Sequence, residues 1–205
     1  GSQNMAIGVD SLQALTTGSF NLAIGPSALR ASLTTASNNV AVGYNALRNN
    51  TSSSNTAVGH QAAQTTTSGQ VDAFGALAAY SNTTGAGNGA IGSGALYTNA
   101  TGLYSVAVGT EALNDATANR NTAIGYKAAQ KMSTGRFNIA IGSQAMGAST
   151  AVVTGDANIA IGGWFDGTVE ASLAALTSGN HNTAVGVGTS RSVTTAAAKT
   201  AFGLH

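Results

Sequence analysis

Three groups of residues have types and spacings that could carry chemistry. The first is Gly87-Asn-Gly-Ala-Ile-Gly92, which fits the glycine pattern of a dinucleotide-binding turn. Such a turn closes backbone N–H groups on a pyrophosphate, and it needs a strand before it, a helix after it and an acidic residue about 20 positions on. The second is the set of histidines, His60, His181 and His205, which could ligate a metal if the fold gathered them. The third is Trp164, Phe165 and Asp166, with His181 further along, which combines aromatic surface with polar groups as a sugar or ligand platform does. The carboxylates of Asp10, Asp72, Glu111, Asp115, Asp156, Asp166 and Glu170 are dispersed, and no spacing pairs an acid with a base. Cysteine is absent, as are a GxSxG nucleophile elbow and an HExxH zinc helix. These residues point away from an enzyme, and neither a cofactor nor a metal is expected.

The elements that must position these residues come from one recurring phrase, Asn-x-Ala-(Ile/Val/Phe)-Gly. It returns twelve times and ends at Gly8, Gly25, Gly43, Gly59, Gly75, Gly92, Gly109, Gly125, Gly142, Gly162, Gly186 and Gly203. The spacings are 17, 18, 16, 16, 17, 17, 16, 17, 20, 24 and 17 residues. A short period over a whole chain is the signature of a solenoid, in which each unit buries its apolar face by stacking on its neighbours. The glycine-rich motif at 87–92 is therefore one copy of the repeat. The expected fold is all-β: a parallel β-roll or β-solenoid of about twelve coils of 16–18 residues, longer in two. Gly1-Ser2 has the form of an expression scar, so the chain is expected to begin within a longer protein. Residues 3–205 form one repeat domain, with an irregular insertion at 147–181 that holds both long spacings and the only tryptophan.

Within one phrase the side chains alternate with period two. The residue two before glycine is alanine in all twelve copies, and the residue just before glycine is always Ile, Val or Phe. The branched face is expected to fill the coil. The Ala/Gly face, small and flat, is expected outside, in contact with other copies of the chain. An Ala-Leu beat three to four residues after the glycine reads as a second short strand, followed by a polar loop of Thr, Ser, Asn and Gly. The residue four before glycine is asparagine in nine copies: Asn4, Asn21, Asn39, Asn55, Asn88, Asn121, Asn138, Asn158 and Asn182. Stacked at roughly 4.8 Å per coil, their amides can pair along the rod and lock the register.

The bulk numbers fit a rod whose surface is either solvated by Ser, Thr and Asn or largely covered by other copies of the chain. Charged residues are 7% of the chain, against roughly 25% in an average soluble domain. The net charge is +1 with no basic run, so no nucleic-acid partner is expected. The apolar runs are too short for a membrane span, and membrane insertion is not expected. Sequons stand at Asn50, Asn82 and Asn99.

Phrases such as Asn121-Thr-Ala-Ile-Gly125-Tyr-Lys-Ala-Ala, Asn55-Thr-Ala-Val-Gly59-His-Gln-Ala and Asn39-Val-Ala-Val-Gly43-Tyr-Asn-Ala-Leu47 resemble the head repeats of trimeric autotransporter adhesins. They are also similar to repeats of bacteriophage tail fibres, where loops of the form Asn82-Thr-Thr-Gly85 and Asn99-Ala-Thr-Gly102 are common. The resemblance covers nearly the whole chain. It implies a left-handed roll, a homotrimer and an extracellular attachment role. The period here is longer than is usual in adhesin heads, which favours the fibre. The expected function is thus the structural or receptor-binding region of a virion tail fibre that attaches to a glycan or protein on a bacterial surface. The alternative is an adhesin head on a bacterial outer surface, binding host molecules. Ice binding is a third reading, disfavoured because threonine stands three before glycine in only four repeats (Thr56, Thr122, Thr183, Thr200). Receptor contact is expected at Trp164, Phe165, Asp166 and His181, since irregular insertions on a regular rod are where binding loops sit.

Overall fold

The computed structural model describes residues 1–31, 35–147, 152–163 and 171–203. Each phrase forms one short strand: β1 (Met5–Ile7), β2 (Leu22–Ile24), β3 (Val40–Val42), β4 (Thr56–Val58), β5 (Val71–Phe74), β6 (Asn88–Ile91), β7 (Val106–Val108), β8 (Thr122–Ile124), β9 (Ile139–Ile141), β10 (Ile159–Ile161), β11 (Thr183–Val185) and β12 (Thr200–Phe202). All twelve lie in one parallel sheet in chain order. The chain is an all-β solenoid, with no helix among the described residues. Register is constant from end to end, alanine over alanine from Ala6↔Ala23 to Ala184↔Ala201. The two long spacings do not disturb it, since Ala140 pairs Ala160 and Ala160 pairs Ala184.

Each strand ends at its glycine for two reasons, which Gly125 illustrates. Its φ is +136°, closed to side chains bearing a Cβ. An added Cβ would also lie 2.5 Å from the Gly142 carbonyl oxygen in the next coil. The backbones of successive coils meet here, and only hydrogen fits between them.

The Ala-Leu beat is not a second strand. It is a run of turns in which alternate residues carry positive φ, as at Asn45 (56°) and Leu47 (48°). These turns still stack, because the Asn45 N–H donates to Pro26 O at 3.1 Å in the coil before and the Leu47 N–H donates to Ala62 O at 3.0 Å in the coil after. Each coil is therefore a strand on one side and a turn on the other. Alternating φ makes the sequence look strand-like while the backbone coils tightly.

The faces are the reverse of the sequence expectation. Alanines 23, 41, 57, 73, 90, 107, 123, 140, 160 and 184 are fully buried, and they form one core with the turn residues Ala28, Leu29, Ala46, Leu47, Leu96, Leu113 and Met146. The branched residues point out: Ile7, Phe74, Ile91 and Ile124 are exposed, and Ile24, Val42, Val58 and Ile141 are half-buried. The strand and the turn side of a coil approach closely, so the strand contributes only a methyl group and leucine from the turn fills the remainder. Ten of the twelve alanines therefore mark a thin interior, not a contact between chains, and only Ala6 and Ala201 in the end coils are less buried.

Candidate functional site

The asparagine column is buried inside the coil, where its side chains replace backbone pairing lost at the corner. Asn138 Oδ1 accepts from the Asn158 backbone N–H at 2.8 Å and from its Nδ2 at 3.1 Å, while Asn138 Nδ2 donates to Gly155 O at 2.9 Å. The same unit recurs at Asn4/Asn21, Asn21/Asn39, Asn39/Asn55 and Asn158/Asn182. Val71 and Ser105 interrupt it. The Val71 N–H still donates to Asn55 Oδ1 at 2.8 Å, and Ser105 Oγ accepts the Asn121 N–H at 3.3 Å. The nine asparagines are thus a scaffold, and they leave no amide for an outside ligand.

Buried asparagine also occupies the far end of some coils. Asn50, Asn82 and Asn99, three of the sequon positions, have no solvent exposure, and their Nδ2 groups donate to Ser52 O, Gly85 O and Gly102 O. A glycosylated side chain does not fit any of the three. The motif at 87–92 lies on β6 and runs into turns instead of a helix, so it lacks the helix N-terminus a pyrophosphate needs.

Of the residues expected to bind, Trp164, Phe165 and Asp166 lie outside the described residues. His181 is exposed at φ 56°, and its backbone N–H donates to Asp156 O at 3.0 Å. It sits five residues before its glycine, the corner where each coil enters its strand. The same column holds Phe20, Tyr104, Arg120, Phe137 and Ala157, all with φ between 55° and 59°. A left-handed conformation costs a residue with a Cβ about 1–2 kcal/mol. The conformation belongs to the repeat, since Ser54, Gly87, Ala157 and Ala198 share it, and in some coils the position carries a large exposed side chain.

Three of these side chains stack. The Arg120 guanidinium lies 5.7 Å from the Tyr104 ring centroid and 5.4 Å from that of Phe137. Tyr104 in turn rests over Gly87, where a Cβ would run into its ring. The sequence reading missed this cluster because its members stand in three different repeats. The signal was present, since 104, 120 and 137 are separated by 16 and 17 residues, the period itself. Beside the stack runs a groove of about 280 Å³ lined by Thr101, Thr117, Asn119, Ser133, Thr134 and Arg136.

Other surface pairs are simpler. Tyr44 stacks on His60 at 5.5 Å and Tyr80 on Tyr97 at 5.2 Å. Lys127 lies over Tyr126 and 3.5 Å from Glu111; its contact with Tyr126 and the Glu111 charge hold its ammonium above the usual lysine range. Among the described residues no three His, Asp or Glu side chains come together as a metal site would require. No protein-family model, curated protein or solved structure matches the chain.

Proposed function

We propose that the chain is a rod segment of a homotrimeric attachment fibre of the virion tail-fibre kind, holding to a bacterial surface outside the cell. One observation carries this reading: the outward side of the sheet is an unpartnered apolar strip running the length of the rod. Ile7, Ile91 and Ile124 are 56%, 50% and 41% exposed, and Asp72 is the one charged residue among the outward strand positions. A strip along twelve coils exceeds the few hundred Å² that monomers usually leave open. Closed cyclic association about the rod axis covers it. The contact then runs through the Ile/Val/Phe face and not the alanine face. Three copies, and a left-handed roll, follow the resemblance to fibre and adhesin repeats.

Light scattering during size exclusion tests the assembly: three times the 20.0 kDa chain mass is expected. A monomer at micromolar concentration refutes it. Labelled protein should then sediment with cells of the bacterial strains it recognises in a panel. A trimer retained by none of the panel removes the attachment role.

A further inference from the structure

We infer that the corner built by Tyr104, Arg120 and Phe137, with the groove beside it, is a binding site for an acidic polysaccharide. The inference rests on the attachment reading and specifies the ligand chemistry of that rod.

The argument begins with the guanidinium. Stacking between two rings occupies both of its faces but leaves its N–H groups in the plane, directed at solvent. Among the described residues Arg120 makes no hydrogen bond or ion pair through those groups; the ion pairs there are Arg30–Asp10 and Lys127–Glu111. Its charge is therefore held rigid and unspent, the preorganised state that makes a bidentate carboxylate contact inexpensive in entropy. Arg136, one coil along, faces the groove and also lacks a carboxylate partner for its side chain. The nearest acid in that column, Asp156, accepts the Arg136 backbone N–H at 2.7 Å and is tied down by it.

The remaining lining selects the class of anion. Thr101, Ser133 and Thr134 offer hydroxyls along the groove and Asn119 offers its Nδ2, while the Thr117 hydroxyl is donated to Ser133 O at 2.8 Å and Asn119 Oδ1 accepts the Leu103 N–H at 2.9 Å. Tyr104 and Phe137, 58% and 53% exposed, are the chain neighbours of the lining residues Leu103 and Arg136. Apart from half-buried Leu103 and buried Ala118, the lining of this groove is polar, which gives a peptide side chain little to anchor on. Two cations at fixed positions are too few for a phosphate backbone, whose binding grows with the number of charges neutralised. A chain of sugars with periodic carboxylates satisfies hydroxyls, ring edges and guanidinium forks together.

The test is retention of the assembled protein on immobilised polygalacturonate, with neutral dextran and a single-stranded thymidine oligonucleotide as the other surfaces. Wild type should be retained on polygalacturonate alone, with retention falling as salt rises. Arg120→Gly and Arg136→Gln should each weaken it about tenfold or more, the factor lost with a charge-assisted hydrogen bond. Arg191→Gln, remote from the corner, should not. Because glycine relaxes φ at position 120, Arg120→Gly should leave Tm unchanged or raise it. A fall in Tm with the loss of retention would make the stack a structural staple and overturn the inference. Equal retention on the oligonucleotide would overturn it too, by showing attraction to any polyanion. If wild type still sediments with bacteria while both arginine variants do so equally well, this site is wrong and the attachment role stands.

Discussion

Gly125→Ala and Gly89→Thr should move stability in opposite directions, although both replace a glycine in the strand region of the repeat. At Gly125 the φ of +136° excludes a Cβ, and the added carbon would lie 2.5 Å from Gly142 O and 2.6 Å from Gly142 C. Those atoms are backbone, held to this coil by the Gly142 N–H bond to Ile124 O at 2.8 Å, so no rotamer change relieves the contact. Backbone strain of about 1–3 kcal/mol and overpacking of about 1–3 kcal/mol together predict a loss of roughly 2–6 kcal/mol. Gly89 lies on the outer side of β6, and an added Cβ there meets no atom within 4 Å. Threonine stands at the equivalent position in β4 and β8. Removing glycine's chain entropy and adding a β-branched side chain should stabilise by about 0.5–1 kcal/mol. Urea unfolding followed by circular dichroism, at one protein concentration because assembly is linked to folding, measures both. If Gly125→Ala stays within about 1 kcal/mol of wild type, or if Gly89→Thr costs as much as Gly125→Ala, the close approach of coils at the glycine column is wrong.

Asn138→Ala should cost about 2–6 kcal/mol, because it strands the buried Asn158 N–H and Gly155 O at about 1–3 kcal/mol each; the urea midpoint reads this, and a neutral result would show that water replaces the ladder. Ala123→Leu should destabilise the folded chain by about 1–3 kcal/mol through overpacking of a site with no exposure, whereas Ile124→Asp should lower the assembled mass and leave the coils folded. The reverse pattern, with assembly sensitive at Ala123 and folding at Ile124, would restore the alanine strip as the contact between copies.

The sequence by itself determined the repeat, the parallel stack and the register. A phrase returning every 16–18 residues leaves a solenoid as the one economical arrangement, and asparagine at a fixed offset from glycine predicts a ladder that the hydrogen bonds of Asn138 and Asn158 display. Period two also sorted the strand residues into two sets. It could not say which set faced inward, because that depends on the distance between the strand and the opposite side of its own coil. The tertiary structure decided it: the gap admits the methyl of Ala123 and not the side chain of Ile124. The same limit explains the Ala-Leu beat, whose alternation is shared by a strand and by a turn with alternating φ, as at Asn45 and Leu47. The Tyr104–Arg120–Phe137 stack shows a third kind of information. Each member looks like an unremarkable loop residue within its own repeat. Only stacking, which converts a separation of one period into adjacency in space, brings the cation between the rings.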